Sequence, residues 1–305
     1  MPKFSIIMPC YNAIETVDAS IAAIVAQTNS DWELICIDDG SSDGTVARLK
    51  SWALMDPRIQ VLAQQNKGPS AARNRGATRA RGDILCFCDA DDLWIDTKLD
   101  ELALCFANPV VQGAFGQIAF FRTMGTADTY STVPNGDLTI PLLMGENPVC
   151  TMSNIAVRRV LFLQYGGFRL DMVHNEDLEW LIRMVGMGAI IRPINRLQVW
   201  YRTSSGGLSS DLRLMQNSRQ RALKTAAQFG FKPRLCNEAI YLRYLARRAL
   251  RLDKGRAIAS RFALRGIFIC PRGFLFPLRR GGATAIAAFV APLLPTPISR
   301  KLFAK

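Results

Sequence analysis

Four short apolar runs dominate the first third of the chain: Phe4 to Met8, Trp32 to Ile37, Ile59 to Leu62 and Ile84 to Cys88. Segments of helical spacing lie between them. Ile14 to Gln27 puts Val17, Ile21, Ile24 and Val25 on one face. Ser42-Asp43 can cap a helix that buries Val46, Leu49 and Trp52. Ser70 to Arg81 reads as a helix ending at Gly82, a C-cap, and Leu99 to Phe106 as another that stops before Pro109. Such alternation predicts an α/β fold, a mostly parallel sheet flanked by helices. Ligands of such a sheet bind beyond the C-terminal ends of its strands.

Acids stand at those ends. Asp38-Asp39 closes the second run, and Asp89-Ala90-Asp91-Asp92 closes the fourth. Like charges this close repel unless a cation joins them. Two carboxylates one residue apart at a strand end suit Mg²⁺ or Mn²⁺, which in turn can neutralise a diphosphate. Eight cysteines without a Cys-x-x-Cys pair, and a single histidine, His174, argue against zinc and against a disulfide framework. Cys86 and Cys88 fit a strand core. A reducing cytoplasm suits this usage, and Met1 to Phe4 runs into a strand with no signal peptide ahead of it.

The net charge of +13 is placed unevenly. From Arg243 onward there are fourteen basic residues and one acid, Asp253, so the remainder of the chain is neutral. Glu238 to Leu252 sets Leu242, Leu245, Ala249 and Leu252 near one face, beside a stripe of Arg243, Arg247 and Arg251. Phe262, Ile267, Phe268, Phe274 and Phe276 follow, interleaved with arginine. Pro292, Pro295 and Pro297 argue against a spanning helix between Gly281 and Ser299. This pattern predicts a basic amphipathic helical extension on an anionic membrane surface; a helical subdomain with a basic outer face is the plainer alternative. Nucleic acid is not the expected partner, because the acidic strand ends would repel phosphate.

The segments fall into a recognisable order. They are Ser5 to Asn12 (SIIMPCYN), Glu33 to Thr45 (ELICIDDGSSDGT), Asn66 to Asn74 (NKGPSAARN) and Gly82 to Asp92 (GDILCFCDADD), then Gly166-Gly167-Phe168 with Asn175 to Leu181 (NEDLEWL). In that order they resemble the family-2 glycosyltransferases of bacterial cell-surface polysaccharide synthesis, over residues 3 to 210. The resemblance implies the Rossmann-like GT-A fold. It implies a glycosyltransferase domain over 1–225, divided into a nucleotide-binding half (1–110) and an acceptor-binding half (111–225), with the basic tail at 226–305.

The resemblance also implies roles. Pro9 and Tyr11 would pack on the base, and Asp39 would accept from its imide, as for uracil. Lys67 and Arg73 would meet the nucleotide-sugar, Asp89 its ribose, and Asp91 the metal. The Glu176-Asp177 pair would supply the base that deprotonates an acceptor hydroxyl, with Asp177 preferred. A helix N-terminus there favours an anion. His174 would touch acceptor or metal. The expected reaction is inverting transfer of a hexosyl or hexosaminyl group from a UDP-sugar to a glycan or lipid-linked glycan, by an enzyme peripheral on the inner face of the plasma membrane. Where the family often has a histidine two residues beyond the Arg of a Tyr-Arg pair, Tyr201-Arg202 is followed by Thr203 and then Ser204. That departure weakens the expected metal contact and keeps a non-catalytic nucleotide-sugar-binding module as an alternative, beside a nucleic-acid-binding protein that uses the tail.

Overall fold

The computed structural model describes residues 3–203, 211–252, 255–295, 298 and 302. Two compact units emerge, Met1–Leu138 with Pro148–Thr203, and Thr139–Asn147 with Ser204–Lys305.

In the first unit the chain runs β1 (Phe4–Cys10), α1 (Val17–Val25), β2 (Trp32–Asp38), α2 (Thr45–Met55), β3 (Ile59–Ala63), α3 (Pro69–Arg79) and β4 (Ile84–Phe87). All seven residues of β2 are buried, as expected of a strand covered on both faces. The sheet order is β3-β2-β1-β4, every pair parallel. The helix expected to end at Gly82 ends at Arg79 instead. Gly82 serves a close approach: a Cβ there would lie 2.8 Å from the backbone of Phe4 and Ser5. Its N–H donates to Ser5 Oγ, which donates to the buried Glu33 carboxylate.

Beyond β4 the sheet becomes mixed. The chain continues through β5 (Leu93–Trp94), α4 (Lys98–Phe106), β6 (Gly113–Phe121) and β7 (Ala127–Tyr130). After α5 (Ile140–Gly145), which belongs to the second unit, come a 3₁₀ turn (Met152–Asn154), β8 (Ile155–Arg158), α6 (Arg159–Gln164), α7 (Glu176–Gly186) and β9 (Ile191–Arg202). The sheet order extends as β4-β8-β6-β9-β5, with β7 on β6. Of these later pairs only β6 with β9 is parallel. Phe87, Phe162, Phe168 and Trp180 pack ring against ring, with centroids 5.1–6.4 Å apart. That cluster ties β4, α6 and α7 to the Gly166–Phe168 turn.

The second unit is helical: α5, α8 (Leu212–Gln228), α9 (Leu235–Arg251), α10 (Arg256–Ile269), α11 (Pro271–Leu275) and α12 (Leu278–Val290). Its core gathers Leu242, Leu245, Ala249, Ala263, Phe274 and Ala288. Residue 225, the boundary read from the sequence, falls inside α8, whereas the compact units divide at Thr203. Cys236 and Cys270 form a disulfide, with Cα atoms 5.3 Å apart, which the cysteine spacing does not announce. The arginine stripe is not one outward face: Arg243 is buried and Arg247 half-buried, both turned toward Glu146. Among the described residues, no helix is long and apolar enough to cross a membrane.

Candidate active site

Parallel pairing of β1 with β2 sets Cys10 opposite Asp38, and β4 lies on the other side of β1. The residues that follow these strands therefore share one sheet edge. Tyr11 stands there 55% exposed, a large aromatic face open to solvent, and Pro9 is partly covered beside it. Asn12, at φ 47°, takes the left-handed conformation that asparagine tolerates. Its Oδ1 accepts from Ser42 N at 2.8 Å, and its N–H donates to Ser41 Oγ at 3.0 Å, so the first two strand-end loops are joined. The motif reading gives Asn12 no such part; its signal is a turn-forming residue directly after a strand.

The Asp38-Asp39 pair divides its work. Asp38 Oδ2 accepts from the N–H groups of Gly40 and Ser41 and closes its own turn. Asp39, 3% exposed, accepts from Gln64 Nε2 at 2.7 Å, Lys67 N at 2.9 Å and Gly68 N at 2.8 Å. It thereby fixes the loop that starts α3, while the Lys67 side chain is exposed.

Arg73, in the first turns of α3, joins the acids. It donates from Nη2 to Asp89 Oδ1 at 2.6 Å, and Nη1 lies 3.6 Å from Glu176 Oε1. The residue is 5% exposed; its Nε has no hydrogen-bond partner, and Nη1 has the Glu176 ion pair alone. Next to it, Asn74 holds the Phe168 backbone at two points, donating to its carbonyl at 2.7 Å and accepting from its N–H at 2.8 Å. The Gly166-Gly167-Phe168 turn is thus part of the site's frame.

The acid-rich segment rests on the 3₁₀ turn. Ser153 Oγ accepts from Asp89 N at 2.9 Å and donates to Asp92 Oδ2 at 2.6 Å. The Ser153 carbonyl takes Trp94 Nε1 and the Nζ of fully buried Lys98. Asp92, also fully buried, accepts from Arg202 N at 3.0 Å. Burial, then Asp91 and Asp89, push the Asp92 carboxyl well above the usual carboxylate range. Asp92 is therefore a scaffold for its neighbours. Sequence reasoning passes over Ser153, because an isolated serine in a mixed stretch carries no pattern.

Asp91 is less buried. Burial and the Asp89 charge push its carboxyl up to about 6, with Arg202 and Arg73 pulling the other way. Asp91, crowded by Asp89 and, among the described residues, bound to no cation of its own as Asp89 is to Arg73, is an oxygen donor that fits a hard divalent cation. Among the described residues no group of three or more His, Cys, Asp and Glu gathers as a metal cage. A cation held by one or two carboxylates completes its shell with phosphate oxygens and water.

Glu176 and Asp177 open α7, where the N-terminal N–H groups favour negative charge. Burial foremost, then Asp177, pushes the Glu176 carboxyl up to about 7, against the pull of Arg73. His174 is buried two residues before this pair. Arg73 thus brings together Asp89 and Glu176, with Asp177 in its field. Tyr11 and Asp39 join at the same edge through the sheet. Ser204 lies outside the described residues.

With this geometry in place, known proteins provide comparisons. The family model for glycosyl transferase family 2 matches residues 5–166. The Escherichia coli UDP-Glc:alpha-D-GlcNAc-diphosphoundecaprenol beta-1,3-glucosyltransferase WfgD is 45% identical over 108 residues, which are 35% of this chain and 42% of WfgD. The chain therefore spans less than half the length of that curated relative. The S. aureus TarS 1–349 structure in complex with UDP-GlcNAc aligns over 96% of this chain and 82% of its own, with 17% identity and a TM-score of 0.57. The mannosyltransferase PcManGT from Pyrobaculum calidifontis, in complex with GDP-Man and Mn²⁺, aligns over 97% and 78%, with 18% identity and a TM-score of 0.53. At such identity the likeness speaks for the fold, which is GT-A.

Proposed function

Because the chain belongs to glycosyl transferase family 2, we propose that it is an inverting glycosyltransferase acting in bacterial surface polysaccharide assembly. It moves a hexosyl or hexosaminyl group from a UDP-sugar to a hydroxyl of a glycan or lipid-linked glycan. One observation carries this reading: Arg73 binds Asp89 at the strand ends and reaches Glu176 on α7, so donor-side and acceptor-side acids share one buried cation. WfgD, named for a UDP-Glc donor, and the TarS complex with UDP-GlcNAc support the choice of donor.

The base stacks on Tyr11 beside Pro9. Asp39 keeps lone-pair capacity for the base imide beyond its three loop donors. Lys67 and Arg73 meet the diphosphate, and Asp89 the ribose. Asp91 holds Mg²⁺ or Mn²⁺, which when bound stabilises the charge of the departing nucleoside diphosphate. Glu176 is turned toward Arg73 and the donor, which leaves the base role to Asp177, with Glu176 as the alternative. Asp177 takes the hydroxyl proton as the acceptor oxygen bonds to the anomeric carbon and the carbon–phosphate oxygen bond breaks. His174 borders the acceptor side.

The tail's membrane role belongs to this reading as well. On α10, Arg261, Leu264, Arg265 and Phe268 recur at helical spacing and all are exposed. That face suits an anionic bilayer surface and would hold the enzyme beside a lipid-linked acceptor.

Thermal-shift titration with nucleoside diphosphates and their sugars, with and without Mn²⁺, tests the donor site. A UDP-sugar is expected to raise the melting temperature only with metal, and Asp91→Ala to remove that dependence. Absence of any shift under every metal condition would overturn the reading. Donor binding without release of UDP in the presence of glycan acceptors would favour the non-catalytic alternative.

A further inference from the structure

Three guanidinium groups in the helical unit converge on one carboxylate. Glu146 follows α5; Arg243 and Arg247 lie one turn apart on α9, and Arg280 lies in the first turn of α12. Arg280 Nη2 donates to Glu146 Oε1. Arg243 Nη2 lies 3.6 Å from Oε2, and Arg247 Nη1 lies 3.9 Å from Oε1. An ion-pair network built for stability alone would match its charges, but here three cations face one anion.

Arg243 is 4% exposed, and its Nη1 is committed to the carbonyls of Gly273, Phe274 and Phe276. Its Nε is buried and has no partner. Burial first, then Arg280, pulls Arg247 down to about 10, and burial lowers Arg243 as well. Among the described residues, Glu146 is the one carboxylate paired with these three arginines. The side chains of Arg247 and Arg280 each remain 30% exposed, so the cluster can be reached from solvent.

One exposed apolar residue is tied to the cluster through its backbone: Phe276, whose carbonyl holds Arg243, is 55% exposed. Guanidinium donors match the oxygens of phosphate, and the exposed Phe276 suits a hydrocarbon chain. We infer that Arg243, Arg247 and Arg280 form a binding site for a phosphate or diphosphate group carried on a lipid. The site is built wholly from the helical unit and does not depend on sugar transfer.

The test uses the full chain without metal, as wild type, Arg247→Gln, Arg280→Gln and Glu146→Gln, with Arg213→Gln on the exposed start of α8 as a charge-matched control. Calorimetry with inorganic diphosphate reads the anion. Flotation with phosphatidylcholine vesicles, with and without phosphatidic acid, reads the lipid. Loss of one charge-assisted contact should weaken diphosphate binding about tenfold in Arg247→Gln and Arg280→Gln. Arg213→Gln should match wild type. Glu146→Gln, which removes the competing carboxylate, should bind diphosphate more tightly. Recruitment to phosphatidic acid vesicles that both arginine variants lose assigns the phosphate to a lipid; diphosphate binding without recruitment assigns it to a soluble anion at the same site. Equal weakening in Arg213→Gln, absence of diphosphate binding, or no gain in Glu146→Gln would overturn the site.

Discussion

Ser153 donates its hydroxyl to Asp92 at 2.6 Å while the same oxygen accepts the Asp89 N–H at 2.9 Å. One small side chain thus fixes both ends of the acid-rich segment, and Asp91, the carboxylate between them, keeps its place through it. Ser153→Ala leaves a buried carboxyl and a backbone N–H short of a partner, at a cost of about 1–3 kcal/mol. Urea unfolding should show that loss, and metal-dependent nucleotide binding should weaken with it. A variant as stable as wild type would remove Ser153 from this frame.

Glu176 links acidity to stability. In the folded protein it keeps its proton to about pH 7, against 4.5 for an ordinary glutamic acid. Between those values the folded state binds more protons than the unfolded chain, so stability falls as pH rises through the window. The full effect is at most roughly 3 kcal/mol. In EDTA, Glu176→Gln is expected to melt higher than wild type at pH 8, with the gap closing toward pH 4.5. A gap that does not change with pH would contradict the raised carboxyl.

Tyr11 separates binding from folding. Its ring is more than half exposed, so Tyr11→Ala should change stability by no more than about 0.5 kcal/mol. Stacking on a base contributes about 1–3 kcal/mol, so UDP affinity measured calorimetrically should fall roughly 5- to 150-fold. An unchanged Kd would place the base elsewhere.

Gly167 and Asn74 should act as one unit. A Cβ at Gly167 would sit 2.2 Å from Asn74 Oδ1, in the clamp that holds Phe168. Gly167→Ala and Asn74→Ala should each cost about 1–3 kcal/mol, and the double variant clearly less than their sum. Additive losses in denaturant unfolding would mean that the two are not coupled.

The first half of the fold was legible because each element repeats a pattern within itself: apolar runs for β1, β2 and β4, a helical period for α1. The two-residue β5 and four-residue β8 carry no period, and their pairing is decided by β9 and β4 far along the chain. At the site, the acids and Arg73 could be read from their motifs. Their partnership could not, because Arg73 and Glu176 are 103 residues apart in the numbering. Nor could charge counting reveal that Arg243 and Arg247 turn inward, since Glu146, which draws them, lies in a different stretch of sequence.

The backbone passes between the two compact units three times, at Leu138–Thr139, at Asn147–Pro148 and at Thr203–Ser204. Gene fusions that exchange the helical unit by a single junction near residue 203 would carry Arg219, Arg243 and Arg280 away from the nine-residue stretch that supplies the Met144 carbonyl and Glu146. A working chimera must graft 139–147 together with the C-terminal helices, so the two stretches are expected to be inherited as a matched set.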